Sequence, residues 1–409
     1  MLRKIKSYLK TIYGLLWIVR IAKRHLGIIL EKLIISSLKV LFLCKVGKIS
    51  EIKCVLVNGG RIGPLAERVI YAIRECDLDT KKSYHWVCLA DDFANYDLAK
   101  ILSRYVPIIR WRAAFNAVLN YQRRTGEFPN FIIENSFTDE AKLNLHSGKI
   151  VELSDSEINR GEYLLKQLYG IGKDDWFVCF HARDTAYLDA LKPKTDWTYH
   201  NYRNSNISNC SDAISEVVSK GGFAIRIGSK VHEALETKNS KQIIDYANDC
   251  PTSFLDVYLL SRCKFAVIGG GSGIGFTAQA FGTPVIWTNF IPIYPWPWDK
   301  KDIFLPKLIF SIKLKRLLTF KEMHDWGFFD SKSEAIGLNY YKNNYFKTIE
   351  NNQNDILSAC QEMLNQLNRR TEPTQIKKFK SEFRNKYAND RFSLGNISGQ
   401  FLLKYQKLL

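Results

Sequence analysis

Two short stretches carry residue types able to do chemistry. The first is "HARDTAY", with His181, Arg183, Asp184 and Tyr187 inside seven positions. Arginine offers a planar, permanently charged fork that fits a diphosphate, and an aspartate beside it can take a hydroxyl proton or orient its neighbours. The second is "CKFAVIGGGSGIGFTAQAFGTPV", Cys263 to Val285, where an apolar run meets a glycine cluster and then a helix-like run. Glycines after a buried strand let backbone approach a phosphate closely, and a following helix N-terminus favours negative charge. Gly271, Ser272 and Gly273 are the expected donor contacts, through backbone N–H groups and one hydroxyl. A glycine turn required only for tight packing is the plainer alternative.

Further polar residues lie close by in the sequence. "RIGS" carries Arg226 and Gly228, and "HNYRNSN" carries Tyr202, Arg203 and Asn204. Asn204, Arg226, Gly228 and Tyr187 join Arg183 as donor-binding candidates; Asp184 and His181 are the catalytic candidates. A structural, hydrogen-bonded role is the preferred reading of His181. Upstream, Asn58, Gly60 and Arg61, with Glu67, are candidates on the acceptor side.

The elements that must position these residues follow from hydrophobic period. Ile52–Val57 is an expected buried strand, Asn58-Gly59-Gly60 a turn, and Pro64 to about Glu75 a helix, with proline suited to its first turn. "YHWVCLA" and "FIIEN" read as further strands. After "YGIGKDD", an expected linker, a second series begins. "WFVCFHARD" is a strand followed by a long polar loop to about Asn209. "DAISEVVSKGG" is then a helix, "FAIRIGS" and "QIIDYAN" are strands, "TSFLDVYLLSRC" is a helix and "KFAVIGG" a strand. "GFTAQAFG" follows as a helix and "TPVIWTN" as a strand. Such alternation argues an α/β protein with two Rossmann-like domains facing a cleft, preceded by an N-terminal amphipathic helical segment. The expected divisions are residues 1–50, 51–168, 169–330 and 331–409, the last charged and helix-like.

Charge narrows the partners. The net charge is +18, but residues 1–50 hold eleven Lys or Arg and one acid, Glu31, leaving +8 for the rest. That distribution argues against nucleic acid and for an anionic membrane surface. The longest uncharged run there, Thr11 to Val19, is far shorter than the ~20 residues a span needs. Arg20, Lys23, Arg24 and Glu31 share one helical face, with Trp17, Ile18, Ile21, Ile28 and Ile29 mostly elsewhere. A helix packed on the protein's own body with a solvated basic face is the alternative. Nine cysteines without zinc spacing suggest reduced, buried thiols. Asp77-Leu78-Asp79 reads as a solvated turn, so no catalytic metal and no cofactor are expected. In "WTNFIPIYPWPWDKKD", Trp287, Phe290, Tyr294, Trp296 and Trp298 would stack on sugars, meet a membrane, or fill a hydrophobic seam.

The glycine spacing of Gly269, Gly273 and Gly275 also fits a short-chain dehydrogenase. Its place after the fourth strand of its half does not, and the Tyr169/Lys173 pair lies upstream of it. An NAD(P)-dependent oxidoreductase and a non-catalytic glycan-assembly subunit are the rival classes. His-x-Arg-Asp, Tyr-Arg-Asn, Arg-x-Gly, "IIDYA", "FLDVYLLSRCKFAVIGGGSG", "FGTPV" and "NGGRIGPLAE" resemble the bacterial surface-polysaccharide glycosyltransferases, over about residues 55–300. Pro64 stands where that family has His. A more distant similarity is to fucosyltransferases, through His181-Arg183 and Asp256-Leu260-Ser261-Cys263, without their second adjacent arginine. The resemblance implies a GT-B architecture; with the basic N-terminal segment and the absence of a metal-binding Asp-x-Asp, the expectation is a metal-independent, peripheral enzyme on the cytoplasmic side of the bacterial inner membrane. The resemblance also implies a nucleotide-sugar donor held by Arg183 and the Gly271–Gly273 loop. The acceptor would be a glycan or lipid-linked glycan of capsule, O-antigen or lipooligosaccharide, and Asp256 would fix the glycine loop.

Overall fold

The computed structural model describes residues 25–40, 52–79, 81, 83–133, 148–191, 193, 196–236, 240–249, 251–293, 297, 299–329, 345–388 and 395–409. The chain forms two compact units, Met1–Ala94 with Ser103–Thr138, and Asn95–Leu102 with Asp139–Leu409.

The first unit carries a parallel sheet of β1 (Ile52–Val57), β2 (His85–Ala90), β3 (Ile108–Arg110) and β4 (Ile132–Ile133), in the order β3-β2-β1-β4. The near-continuous apolar β1 is buried at five of its six positions, as expected of a strand covered on both faces. The helix Ile62–Leu78 follows the turn Asn58-Gly59-Gly60, with Pro64 in its first turn. A Cβ on Gly59 would lie 2.2 Å from the Asp92 carbonyl, so only glycine allows these two loops to touch. Asp77 pairs with Arg74, and the Asp79 carboxylate accepts from the amides of Ser83 and Tyr84; the Asp-Leu-Asp triplet is a helix end and turn.

A helix at residues 25–40 also belongs to this unit, with Lys32 exposed and its one acid on the inner face. Its acid points inward: Glu31 is buried and pairs with Arg124 at 2.6 Å, while Ile35 and Leu38 enter the core. Leu26, Ile29, Leu30, Leu33 and Val40 are exposed, each by more than half. Arg20, Lys23 and Arg24 of the expected face lie outside the described residues.

The second unit is built on a larger parallel sheet, in the order β14-β10-β9-β8-β5-β6-β7. Its strands are β5 (Phe177–His181), β6 (Phe223–Arg226), β7 (Ile243–Ile244), β8 (Ala266–Gly269), β9 (Val285–Phe290), β10 (Ile303–Pro306) and β14 (Asn396–Ile397). "QIIDYAN" is thus a two-residue strand followed by turns. A small antiparallel sheet of β11 (Leu308–Ser311), β12 (Arg316–Leu317) and β13 (Phe346–Ile349) follows β10. From β5 the chain runs outward through β6 to β7, then returns to place β8 on the other side of β5. The order reverses between β5 and β8, and ligands of open α/β sheets collect beyond the strand ends at such a point.

Two expected boundaries are corrected. The division falls at Thr138/Asp139, not at 168, because the helix Asp155–Tyr169 packs with the second unit. Its Gly161 lies against the Tyr258 ring, Arg160 sits over Phe254 and Leu165 joins the larger core. Residues 331–409 are likewise no separate helical segment. β14 pairs with β10, and Cys360, Met363, Phe383, Phe401 and Leu402 fill the same core as β5–β10. Seven cysteines are described, all as free thiols; six are buried and Cys76 is exposed. No helix among the described residues is long and apolar enough to cross a membrane.

Candidate functional site

The two motifs meet at the β5/β8 edge. His181 pairs in register with Ile268, so the residues after β5 and after β8 emerge side by side. Gly270 and Gly271 both adopt left-handed backbone, with φ of 61° and 57°, which a side chain would strain. A Cβ on Gly270 would lie 2.1 Å from the Arg203 carbonyl and 3.3 Å from the Arg183 Cβ, so the loop must be glycine to lie against both arginines. Gly271 to Ser272 and Gly273 are half-exposed, whereas Gly270 is buried. The amides of Gly271 and Gly273 have no hydrogen-bond partner among the described residues; that of Ser272 donates to the Gly269 carbonyl.

Arg183 sits at the centre of this edge. Its guanidinium donates to the His200 carbonyl at 3.3 Å and to the Asn204 side-chain oxygen. Asn204 is therefore brought to Arg183, although 21 residues separate them. Arg203 turns to the glycine loop, donating to Gly270 O at 3.1 Å and Gly271 O at 2.7 Å. The polar loop after β5 is a brace for both motifs: one arginine is held out from it, and the other fastens the glycines.

The remaining candidates take more structural positions. Asp184 accepts from the amides of Ala186 and His232, each at 3.0 Å, so its carboxylate ties the end of β5 to the loop after β6. Burial pushes the His181 imidazole down to about 4, against the opposing attraction of Asp184, and Arg183 and Arg226 lower it further. It is neutral near pH 7, and its Nδ1 is buried without a hydrogen-bond partner among the described residues. Arg226 is buried; it donates to the Glu233 carbonyl and lies 3.7 Å from Asp245. It holds the loop after β6. Gly228 admits the close approach of Val231 and Ala247, and Tyr187 is half-buried on the helix Ala186–Leu191.

Asp256 is corrected in its partner. Its Oδ1 accepts from the Tyr246 hydroxyl at 2.8 Å, tying the helix Ser253–Arg262 to the segment after β7, not to the glycine loop. The glycine loop is held by Arg203, and behind it lies Asp302, which was not singled out in the sequence. Asp302 is fully buried and accepts from Gln279 Nε2, Trp287 Nε1 and the Val285 amide, at 2.5, 3.0 and 2.9 Å. Trp287 and Phe290 are thereby core residues; Tyr294, Trp296 and Trp298 lie outside the described residues.

In the first unit, Asn58 and Arg61 are exposed after β1, and the Gly60 amide donates to Asp91 at 3.2 Å. Burial raises the half-buried Glu67 carboxyl, partly offset by Arg68. Among the described residues no group of three His, Cys, Asp or Glu side chains is arranged to hold a metal ion.

No family model matches this chain, and no curated protein matches it. Among solved structures it is similar to a family 9 glycosyl transferase of Veillonella parvula, with 8% identity, 58% of this chain and 80% of that one covered, and a TM-score of 0.34. It is also similar to TibC, an iron-containing dodecameric glycosyltransferase of enterotoxigenic E. coli, at 11% identity, 58% and 59% coverage and a TM-score of 0.32. A second TibC structure, a heptosyltransferase in complex with ADP-D-β-D-heptose, gives 12%, 78% and 77%, and 0.37. Likenesses of this size carry nothing about activity, so function rests on the chain's own residues.

Proposed function

We propose that the chain is a glycosyltransferase of GT-B type that moves a sugar from a nucleotide-activated donor to a bacterial surface glycan or its lipid-linked precursor. The observation that carries this reading is the meeting of Arg183, the Asn204 loop and the Gly270–Gly273 turn at the reversal point of a parallel sheet. Breaking the anomeric C–O bond puts negative charge on the departing nucleoside diphosphate. Fixed N–H donors and a guanidinium at that position lower the barrier without reorganising at the moment of reaction. The acceptor hydroxyl must lose a proton; Asp184 is the nearest carboxylate in the motif, and neutral His181 can accept a proton but has none to give at pH 7. Asn58, Gly60 and Arg61 are proposed for the acceptor.

The test is release of nucleoside diphosphate from UDP-, GDP-, ADP- and CDP-sugars, coupled to glycan extension on bacterial membrane extracts. One donor class should support extension, and EDTA should leave the rate within about twofold, because fixed cationic donors replace the metal. Loss of activity in EDTA, restored by manganese, would contradict the metal-free reading.

The same proposal places the protein on the inner face of the cytoplasmic membrane. Support comes from the helix at 25–40, whose acid is turned inward while Leu26, Ile29, Leu30, Leu33 and Val40 face out, within a segment of net charge +10. Replacing Leu30 and Leu33 together by glutamate should weaken binding to phosphatidylglycerol vesicles at least about tenfold, as expected from two lost apolar insertions. Unchanged vesicle binding by the double variant would remove this helix from the contact.

A further inference from the structure

Lys307 follows β10 and is only 2% exposed, yet its ammonium reaches a neutral acceptor, the Asn204 carbonyl, at 2.5 Å. Buried lysines ordinarily lie against a carboxylate. Asn204 thus stands between two cations, its carbonyl on Lys307 and its side-chain oxygen on Arg183. The charged groups facing Lys307 are Glu350, just after β13, and Arg183, just after β5. Glu350 already accepts from the Asn206 amide at 3.0 Å and from Asn209 Nδ2 at 2.9 Å, bracing the same loop from its other end. Arg203, the third cation on this loop, is spent on the Gly270 and Gly271 carbonyls. Lys307 is thus left with a neutral acceptor and a carboxylate that already serves Asn206 and Asn209, beside the unpartnered amides of Gly271 and Gly273.

We propose that Lys307 is a positioning residue for the donor's diphosphate, holding the Asn204 loop and through it Arg183, and gaining a proton when the dianion binds. This rests on the reading of the site as one for a nucleoside diphosphate. Burial first, and then Arg183, push the Lys307 ammonium down to about 8, against the pull of Glu350. Above that pH the free protein holds Lys307 largely neutral, and a dianion nearby restores the charged form. Affinity therefore falls as pH rises through this range, and binding takes up a proton from the buffer.

The experiment is calorimetric titration of the full chain with UDP, GDP and ADP at pH 7.5 and 9.0, in two buffers of different ionisation enthalpy. The wild type should take up most of a proton per diphosphate at pH 9.0, and much less at pH 7.5. Lys307→Arg, which keeps the charge but does not titrate, should bind without the uptake. Lys307→Met should bind at least about tenfold more weakly at pH 7.5, as expected for a lost charge-assisted interaction. If Lys307→Met does not fold, the arginine variant and the wild type still decide the matter. Equal proton uptake by wild type and Lys307→Arg overturns the inference while leaving the donor site standing. Absence of binding by all three nucleotides to the wild type overturns the site itself, and the inference with it.

Discussion

Arg183→Ala is expected to weaken nucleoside-diphosphate binding by roughly a hundredfold, about 3 kcal/mol, as for loss of a bidentate charged contact, while the protein stays folded. Arg183 is half-buried at the strand edge, and its guanidinium contacts include the His200 carbonyl and the Asn204 side chain. Neither is a buried charge that would be left stranded. Lysine at this position keeps the charge but not the fork, so Arg183→Lys should fall between the two. Calorimetric titration together with a thermal melt separates binding from folding. An unchanged affinity for Arg183→Ala would take the residue out of the site.

The largest stability effect is expected at Asp302. Removal of its carboxyl by Asp302→Ala leaves three buried donors, on Gln279, Trp287 and Val285, without an acceptor. Each such group costs roughly 1–3 kcal/mol, so a loss on the order of 4 kcal/mol is expected. In a unit this large that corresponds to a fall of about 10 °C in Tm. Burial, with Asp299 adding to it, raises the Asp302 carboxyl to about 8 despite those three donors. The acid is therefore mostly protonated at neutral pH, and Asp302→Asn, which keeps one acceptor oxygen but turns its NH2 toward at least one of the three donors, should cost about 1–3 kcal/mol, less than alanine. Equal losses for both variants, read by thermal unfolding at pH 7, would mean that the carboxylate charge itself is required. Because Gln279 ends the helix behind the glycine loop and Trp287 closes over Gly275, the alanine variant should also lose nucleotide affinity.

Much of this architecture was legible from period and punctuation. β1, β5 and β8 are continuous apolar runs ending in glycine or in charged residues, and the two chemical motifs sit at the strand ends where they were expected. Arg183 and the glycines stood out by residue type and by their place after buried strands; that glycine is also required at Gly270 for the loop to pass the Arg203 carbonyl is seen only in the structure. The parts that escaped have physical causes. β14 is two residues long and has no period to detect, so its partnership with β10 was invisible. The helix Asp155–Tyr169 has an amphipathic face that could pack on either unit; its contacts through Gly161, Arg160 and Leu165 assign it. Arg226 and Asp184 have the residue types of a binding site, and both also bond local backbone groups, which sequence spacing does not reveal. Lys307 and Asp302 lie at the ends of an apolar strand, where a lone charge reads as an exposed boundary; both are buried. The helix at 25–40 carries an acid among leucines, and hydropathy alone does not reveal that Glu31 is turned inward to meet Arg124.

The most direct test of the central claim is titration of the purified full chain with UDP, GDP, ADP, CDP, CMP and NAD in parallel. Selective binding of one nucleoside diphosphate, lost in Arg183→Ala and absent for NAD, is the expected result and would name the donor class. Binding of NAD alone would mean that the glycine turn serves a dinucleotide, and binding of none would leave the parallel sheet without the donor site assigned to its β5/β8 edge.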